Sequence, residues 1–130
     1  MDNRTYSELV LLGTYDERLE YLMLEGVELS SPRAMSQSFY KSKQWKAIRE
    51  SIIKRDFGCE IGILGIYIYG PIYVHHMNPI TEVDIDNNDP KLYDPENLIS
   101  VSLNTHNIIH YRTIAPEPYV ERSAGDTKLW

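Results

Sequence analysis

All four histidines of this 130-residue chain fall in two short clusters, and that restricts what it can fold into. His75 and His76 are adjacent in "IYVHHMNP", at the end of an apolar run. His106 and His110 stand four apart in "NTHNIIH". On an α-helix the second pair shares one face, a turn apart, which is a two-ligand geometry for a divalent metal. Taken alone, an i,i+4 histidine pair is more often an ordinary surface pair. At a strand end, successive side chains point to opposite faces. One of the adjacent pair can therefore join the helix pair while its neighbour faces elsewhere. Three nitrogens with open positions form a catalytic metal pattern. A neighbour left free, titrating near neutrality, suits a general base. The alternative is a closed four-histidine structural site.

The flanking sequence supplies the elements. Thr5-Tyr6-Ser7-Glu8 and Thr14-Tyr15-Asp16-Glu17 both fit the capping box, which predicts short helices near 6–12 and 15–25, with Gly13 and Gly26 as stops. Residues 27–37, with Pro32 and three serines, read as a linker or ordered loop. Residues 39–56 read as a longer helix with an apolar stripe of Trp45, Ile48 and Ile52. "IGILGIYIYGPIYV" reads as two short strands with a turn near residue 70. Residues 77–96 read as a long loop, 97–101 as a further strand, and 103–112 as a helix capped by Ser102 or Asn104. Residues 113–130 read as an extended tail.

Composition narrows the class. At 42% hydrophobic and 25% charged, this is one globular domain rather than a disordered chain. No apolar run is long enough to span a membrane, and no signal peptide is apparent. A single cysteine, Cys59, excludes an internal disulfide and a cysteine-rich zinc site, and fits a reducing, cytoplasmic setting. The net charge of −6 argues against nucleic acid. Its distribution qualifies that reading. Residues 39–55 hold six bases (Lys41, Lys43, Lys46, Arg49, Lys54, Arg55) and one acid, whereas residues 81–96 hold six acids and one base. The basic segment reads first as a solvated helix face and second as a surface for phosphate. The acids Asp84, Asp86, Asp89, Asp94 and Glu96 fit no calcium loop and read as solvated or partner-facing. Arg112 reads as a surface arginine.

With these residues in place, the chain resembles the HNH endonucleases, the ββα-metal or His-Me finger nucleases. His76, Asn97 and His106 stand for the three letters. The spacing "HH…N-x8-H-x3-H" is most similar to the colicin-type variant, whose metal is held by three histidines. "VHHMNPI", "ENLISVS" and "THNIIHY" resemble small HNH proteins of bacteriophages, and the likeness extends upstream through "FYKSKQWKAIRESIIKRDFGCE".

The resemblance implies an α+β fold: N-terminal helices over 1–37, a ββα-metal core over 38–113 with two short antiparallel strands and a helix clasping one metal, and a tail over 114–130. It implies that His75, His106 and His110 hold one divalent ion, that His76 activates water, and that Asn97 ties down the loop carrying His76. It implies DNA as substrate, nicked or cut through both strands, in a host-cell cytoplasm if the chain is phage-encoded. Lys41, Lys43, Lys46, Arg49 and Arg55 would meet the DNA backbone. A homodimer or phage packaging proteins would be the partners. Many family members brace the unit with zinc on two cysteine pairs. The matching positions here are Cys59 with Gly62 and Ser102 with Thr105, so that zinc ribbon is not expected. His75 stands where many members carry Asp, which favours Zn, Ni or Mn over Mg. An RNase, or a non-catalytic metal-stabilised module that binds DNA or a packaging partner, remains the alternative.

Overall fold

The computed structural model describes residues 3–23 and 38–111. The predicted linker over 27–37, Arg112 and the tail over 113–130 lie outside the described residues. The architecture is α+β, with a two-stranded antiparallel sheet between helices. In chain order the elements are α1 (Tyr6–Leu9), α2 (Tyr15–Leu22), α3 (Lys43–Arg55), β1 (Ile72–His76), α4 (Glu82–Asp86), β2 (Leu98–Ser102) and α5 (Leu103–Tyr111).

Capping chemistry sets most of these boundaries. Thr5 and Thr14 accept from the amides of Glu8 and Glu17, and Glu17 closes a full capping box. Both helices end earlier than the sequence suggests, at Leu9 and Leu22, because Val10 caps the first and Met23 turns extended at φ −63°, ψ 138°. Residues 38–40 form a separate helical turn rather than the start of α3. Ser42 is extended there, and its hydroxyl accepts from Trp45 N, which starts α3 afresh. Ser102 caps α5 through Thr105 N.

Two expectations are corrected. The run over 61–74 holds one strand, not two. Residues Glu60–Gly62 form a 3-10 turn, and an isolated bridge joins Cys59 to Tyr67. Gly65 and Gly70 sit at φ +100° and +142°, which breaks a pleat before β1 can begin. The long loop over 77–96 contains α4 and two 3-10 turns, Pro90–Leu92 and Pro95–Asn97. Three of its acids serve as caps: Asp84 completes a box with Thr81, and Asp89 and Asp94 cap the turns. Charge alone could not separate a solvated loop from an acid-capped one.

Pairing of β1 with β2 sets Tyr73 opposite Val101, Val74 opposite Ser100, His75 opposite Ile99 and His76 opposite Leu98. The pleat then divides the core. Ile99 and Val101 pack with Leu9, Leu22, Ile61, Met77 and Ile109 on the side of α1, α2 and α5. Leu98 and Val74 pack with Trp45, Ile52, Phe39 and Leu92 on the side of α3. The N-terminal helices thus share a core with the histidine-bearing elements.

A buried arginine fastens α2 to the 3-10 turn. Arg18 is 8% exposed. It donates to Leu12 O at 2.8 Å, Ile61 O at 2.9 Å and Val10 O at 3.3 Å. Ile61 itself stands at φ 40°, an uncommon conformation for a β-branched residue, with its side chain fully buried. Bonds from a charged donor contribute about 1.5–3 kcal/mol each, and carbonyls left unmatched add to the cost. Arg18→Ala is expected to lower the unfolding free energy by about 3 kcal/mol in urea titration. A loss below about 0.5 kcal/mol would show that α2 does not brace the fold.

Candidate metal centre

Strand alternation separates the two adjacent histidines. His75 faces α5 and His76 faces α3. Among the described residues, His75, His106 and His110 each offer a ring nitrogen, and these atoms lie within 4.8 Å of one another. The His106 and His110 rings are 4.2 Å apart, centroid to centroid. His75 meets both edge-on, at 5.5 and 5.1 Å. Zinc–nitrogen bonds of about 2.0–2.1 Å set tetrahedral ligands about 3.4 Å apart. Small ring rotations close that difference.

The donors suit a metal for a second reason. His75 is 4% exposed, and its Nε2 is buried with no hydrogen-bond partner. Orphaned buried nitrogens are costly, and a metal ion would satisfy this one. Burial also holds all three rings neutral, the form that binds metal. His75 is held well below its ordinary value by burial, then by His106 and His110. His106 is pushed down to about 4 by burial and by His110. Burial lowers His110 too. Tyr73 stacks on His106 at 5.7 Å and fixes its plane.

His76 lies on the opposite face, 7% exposed. Its ring stacks on Trp45 at 5.2 Å. Its Nε2 is 2.9 Å from Leu92 O, and a carbonyl can only accept, so Nε2 carries the proton and Nδ1 keeps its lone pair. The sequence suggested an imidazole titrating near neutrality. Instead burial pushes it down to about 4, against the opposing pull of the Leu92 bond.

Asn97 is buried beside it. Its Nδ2 donates to Lys91 O at 3.2 Å, one residue before the carbonyl that holds His76. Its backbone carbonyl accepts from Met77 N at 2.8 Å. Asn97 thus joins the segment after His76 to the turn that carries Leu92.

The basic residues divide. Lys41, Lys43 and Lys46 are exposed, whereas Arg49 is half-buried and donates to Ile72 O at 2.7 Å. Arg55 turns inward. It bonds Asp56 on two oxygens, Pro95 O and Leu98 O, and lies 3.6 Å over the Tyr6 ring. Its guanidinium is spent on the fold, which leaves the lysines as the outward charges. Cys59 is fully buried, with its thiol 3.4 Å from Phe57 O. Three contacts around the site were not read from sequence: Trp45 on His76, Tyr73 on His106, and Asn78 on Asn97. An Asn before a Pro signals only a turn.

No family model, curated protein or solved structure matches the chain. No helix of the described residues is long and apolar enough to cross a membrane.

Two outcomes follow from this geometry. Calorimetric titration with zinc is expected to find one site per chain. His75→Ala, His106→Ala and His110→Ala should each weaken it by at least about 100-fold, since losing a ligand exceeds the ~10–100-fold cost of losing a supporting partner. His76→Ala should leave it intact. Zinc binding that survives all three ligand substitutions would remove the site. Separately, the metal-free protein should lose thermal stability as pH falls from about 6.5 to about 4. In that window the unfolded chain protonates these rings and the folded chain does not, so stability rises with pH and levels off above it. A melting temperature that stays flat between about pH 7 and pH 5 would contradict burial of neutral histidines.

Proposed function

We propose that this chain is a metal-dependent endonuclease of the ββα-metal, HNH type, hydrolysing DNA phosphodiester bonds. The observation that carries this reading is the division of the adjacent pair. His75 completes a three-imidazole cluster, while His76 stays off that cluster on the other face of the same strand. A purely structural metal site has no use for the fourth imidazole in so constrained a position.

His75, His106 and His110 would hold one divalent ion, with Zn, Ni, Mn and Mg as the candidates. When bound, such an ion supplies Lewis-acid stabilisation of charge on the phosphate and on the leaving 3′ oxygen. The chain's own residues do the rest. His76, with its proton fixed on Nε2 by Leu92 O, presents the Nδ1 lone pair to a water proton. Its burial keeps it unprotonated throughout the neutral range. The negative charge of an approaching phosphodiester raises its basicity again. Asn97 holds the turn against which that ring is braced. Lys41, Lys43 and Lys46 contact the phosphate backbone, which positions DNA without reading its sequence.

A second reading draws on the same burial of His76, at 7% exposure. It is a metal-stabilised module that binds DNA or a phage packaging partner without cutting. Supercoiled-plasmid cleavage separates the two, with EDTA, Mg, Mn, Ni and Zn lanes. The nuclease reading expects metal-dependent nicking or linearisation, reduced about 10²–10⁴-fold by His76→Ala while zinc binding persists. No cleavage in any lane by folded, metal-loaded protein would favour the binding module. Equal cleavage by wild type and His76→Ala would overturn the role of His76.

A further inference from the structure

Asn78 lies two residues past His76, and its side-chain amide is fully engaged. Oδ1 accepts from Arg4 N at 2.9 Å, and Nδ2 donates to Arg4 O at 2.8 Å. This two-bond exchange copies a backbone pair of an antiparallel ladder, with a side chain standing in for one strand. The second Nδ2 hydrogen goes to Asn97 Oδ1 at 2.7 Å, and Asn78 N donates to the same oxygen at 2.8 Å. Only a carboxamide of this length meets all three demands. Asp lacks both donors and would set charge against Asn97 Oδ1, and Ala lacks everything.

Followed inward, these bonds form one chain. Arg4 is itself anchored, donating from Nε to Tyr21 O at 2.9 Å and from Nη2 to Met23 O at 3.0 Å. Its backbone holds Asn78, and Asn78 holds Asn97. Asn97 holds Lys91 O, and the next carbonyl, Leu92 O, holds His76 Nε2. Beside this path, Ser7 binds Glu96 through both its amide and its hydroxyl, at 2.9 and 2.8 Å. The N-terminal segment therefore holds the turn before β2 directly at Glu96 and, through Asn78, at Asn97.

We infer that Asn78 is a positioning residue for His76, and that Arg4 acts through it to set the orientation of that ring. The inference rests on reading His76 as the base. It makes the N-terminal segment part of the site's support. A merely structural role would predict something different: loss of stability with His76 unchanged.

The test reads His76 directly. Long-range ¹H–¹⁵N spectra of the full chain report which imidazole nitrogen carries the proton. Wild type should show His76 as a single Nε2–H tautomer. In Asn78→Ala and Asn78→Asp that signal should become a mixture of tautomers, while zinc affinity stays within about threefold. Arg4→Pro, which deletes the amide donor to Asn78, should do the same. In the cleavage assay the Asn78 variants should lose about 10–100-fold in kcat with KM unchanged, the scale of a lost supporting partner. Arg18→Ala is the comparison, since it loses stability through bonds to Val10, Leu12 and Ile61, outside the Asn78 path, and should leave the His76 signal alone. An unchanged His76 tautomer in both Asn78 variants would overturn the inference, as would the same change in Arg18→Ala. If wild type itself cuts no DNA, the nuclease reading fails, and the tautomer readout still decides the role of Asn78.

Discussion

A β-strand cannot point two neighbouring side chains the same way. That constraint, applied at His75 and His76, organises everything else in the molecule. One ring must go toward α5 and the other toward α3. Among the described residues the sheet has two strands, so each face needs a helical layer to bury it. The α5 layer arrives with His106 and His110 one turn apart, and the α3 layer arrives with Trp45 to stack on His76. The register with β2 fixes the assignment. A slip of one residue would exchange the faces and leave His75 against Trp45.

The second constraint is size. A two-stranded sheet and one helix bury too little to stand alone, and small units of this kind commonly recruit a metal or disulfide. This chain recruits its N-terminal helices. Around Cys59, Gly62, Ser102 and Thr105 the bracing comes from side chains of those helices and the 3-10 turn. Here Tyr15 bonds Thr105 Oγ1 at 2.8 Å, Glu60 accepts from Ser102 N at 2.8 Å, and Arg18 holds the carbonyl of Ile61. At Gly62, φ is +73° and an added Cβ would stand 3.4 Å from the Arg18 guanidinium, so the turn is shaped around that arginine. The same N-terminal segment reaches Asn78 and Glu96. Brace and site support are two ends of one device.

Much of the site was legible in the sequence because its logic is periodic. The i,i+4 spacing of His106 and His110 and the pleat at His75 and His76 are local rules: they put one pair on a shared face and divide the other, while the choice of His75 for the cluster came from the resemblance. The capping boxes at Thr5 and Thr14 were equally local. What could not be read was long-range. Arg55 looks like one more base on a basic helix, yet it spends its donors on Asp56, Pro95 and Leu98, which only the folded chain brings near. Asn78 looks like a turn residue, and its partner Arg4 is 74 positions away. The lowered proton affinity of His76 comes from burial under Trp45 and Phe39, a property of packing rather than of spacing. The missing strand before β1 failed for a different reason. An Ile- and Tyr-rich run carries β-propensity, but its glycines sit in conformations no strand accepts.

One divalent ion is proposed to bind His75, His106 and His110 while His76 stays apart. Crystals of the zinc-loaded protein, with anomalous diffraction collected on either side of the zinc edge, test it most directly. The expected result is one anomalous peak per chain, about 2.0–2.1 Å from one nitrogen of each of those three rings, with Leu92 O still bonded to His76 Nε2. A peak bound to His76, or one seated on the acids of residues 81–96 with the three imidazoles unligated, would contradict it.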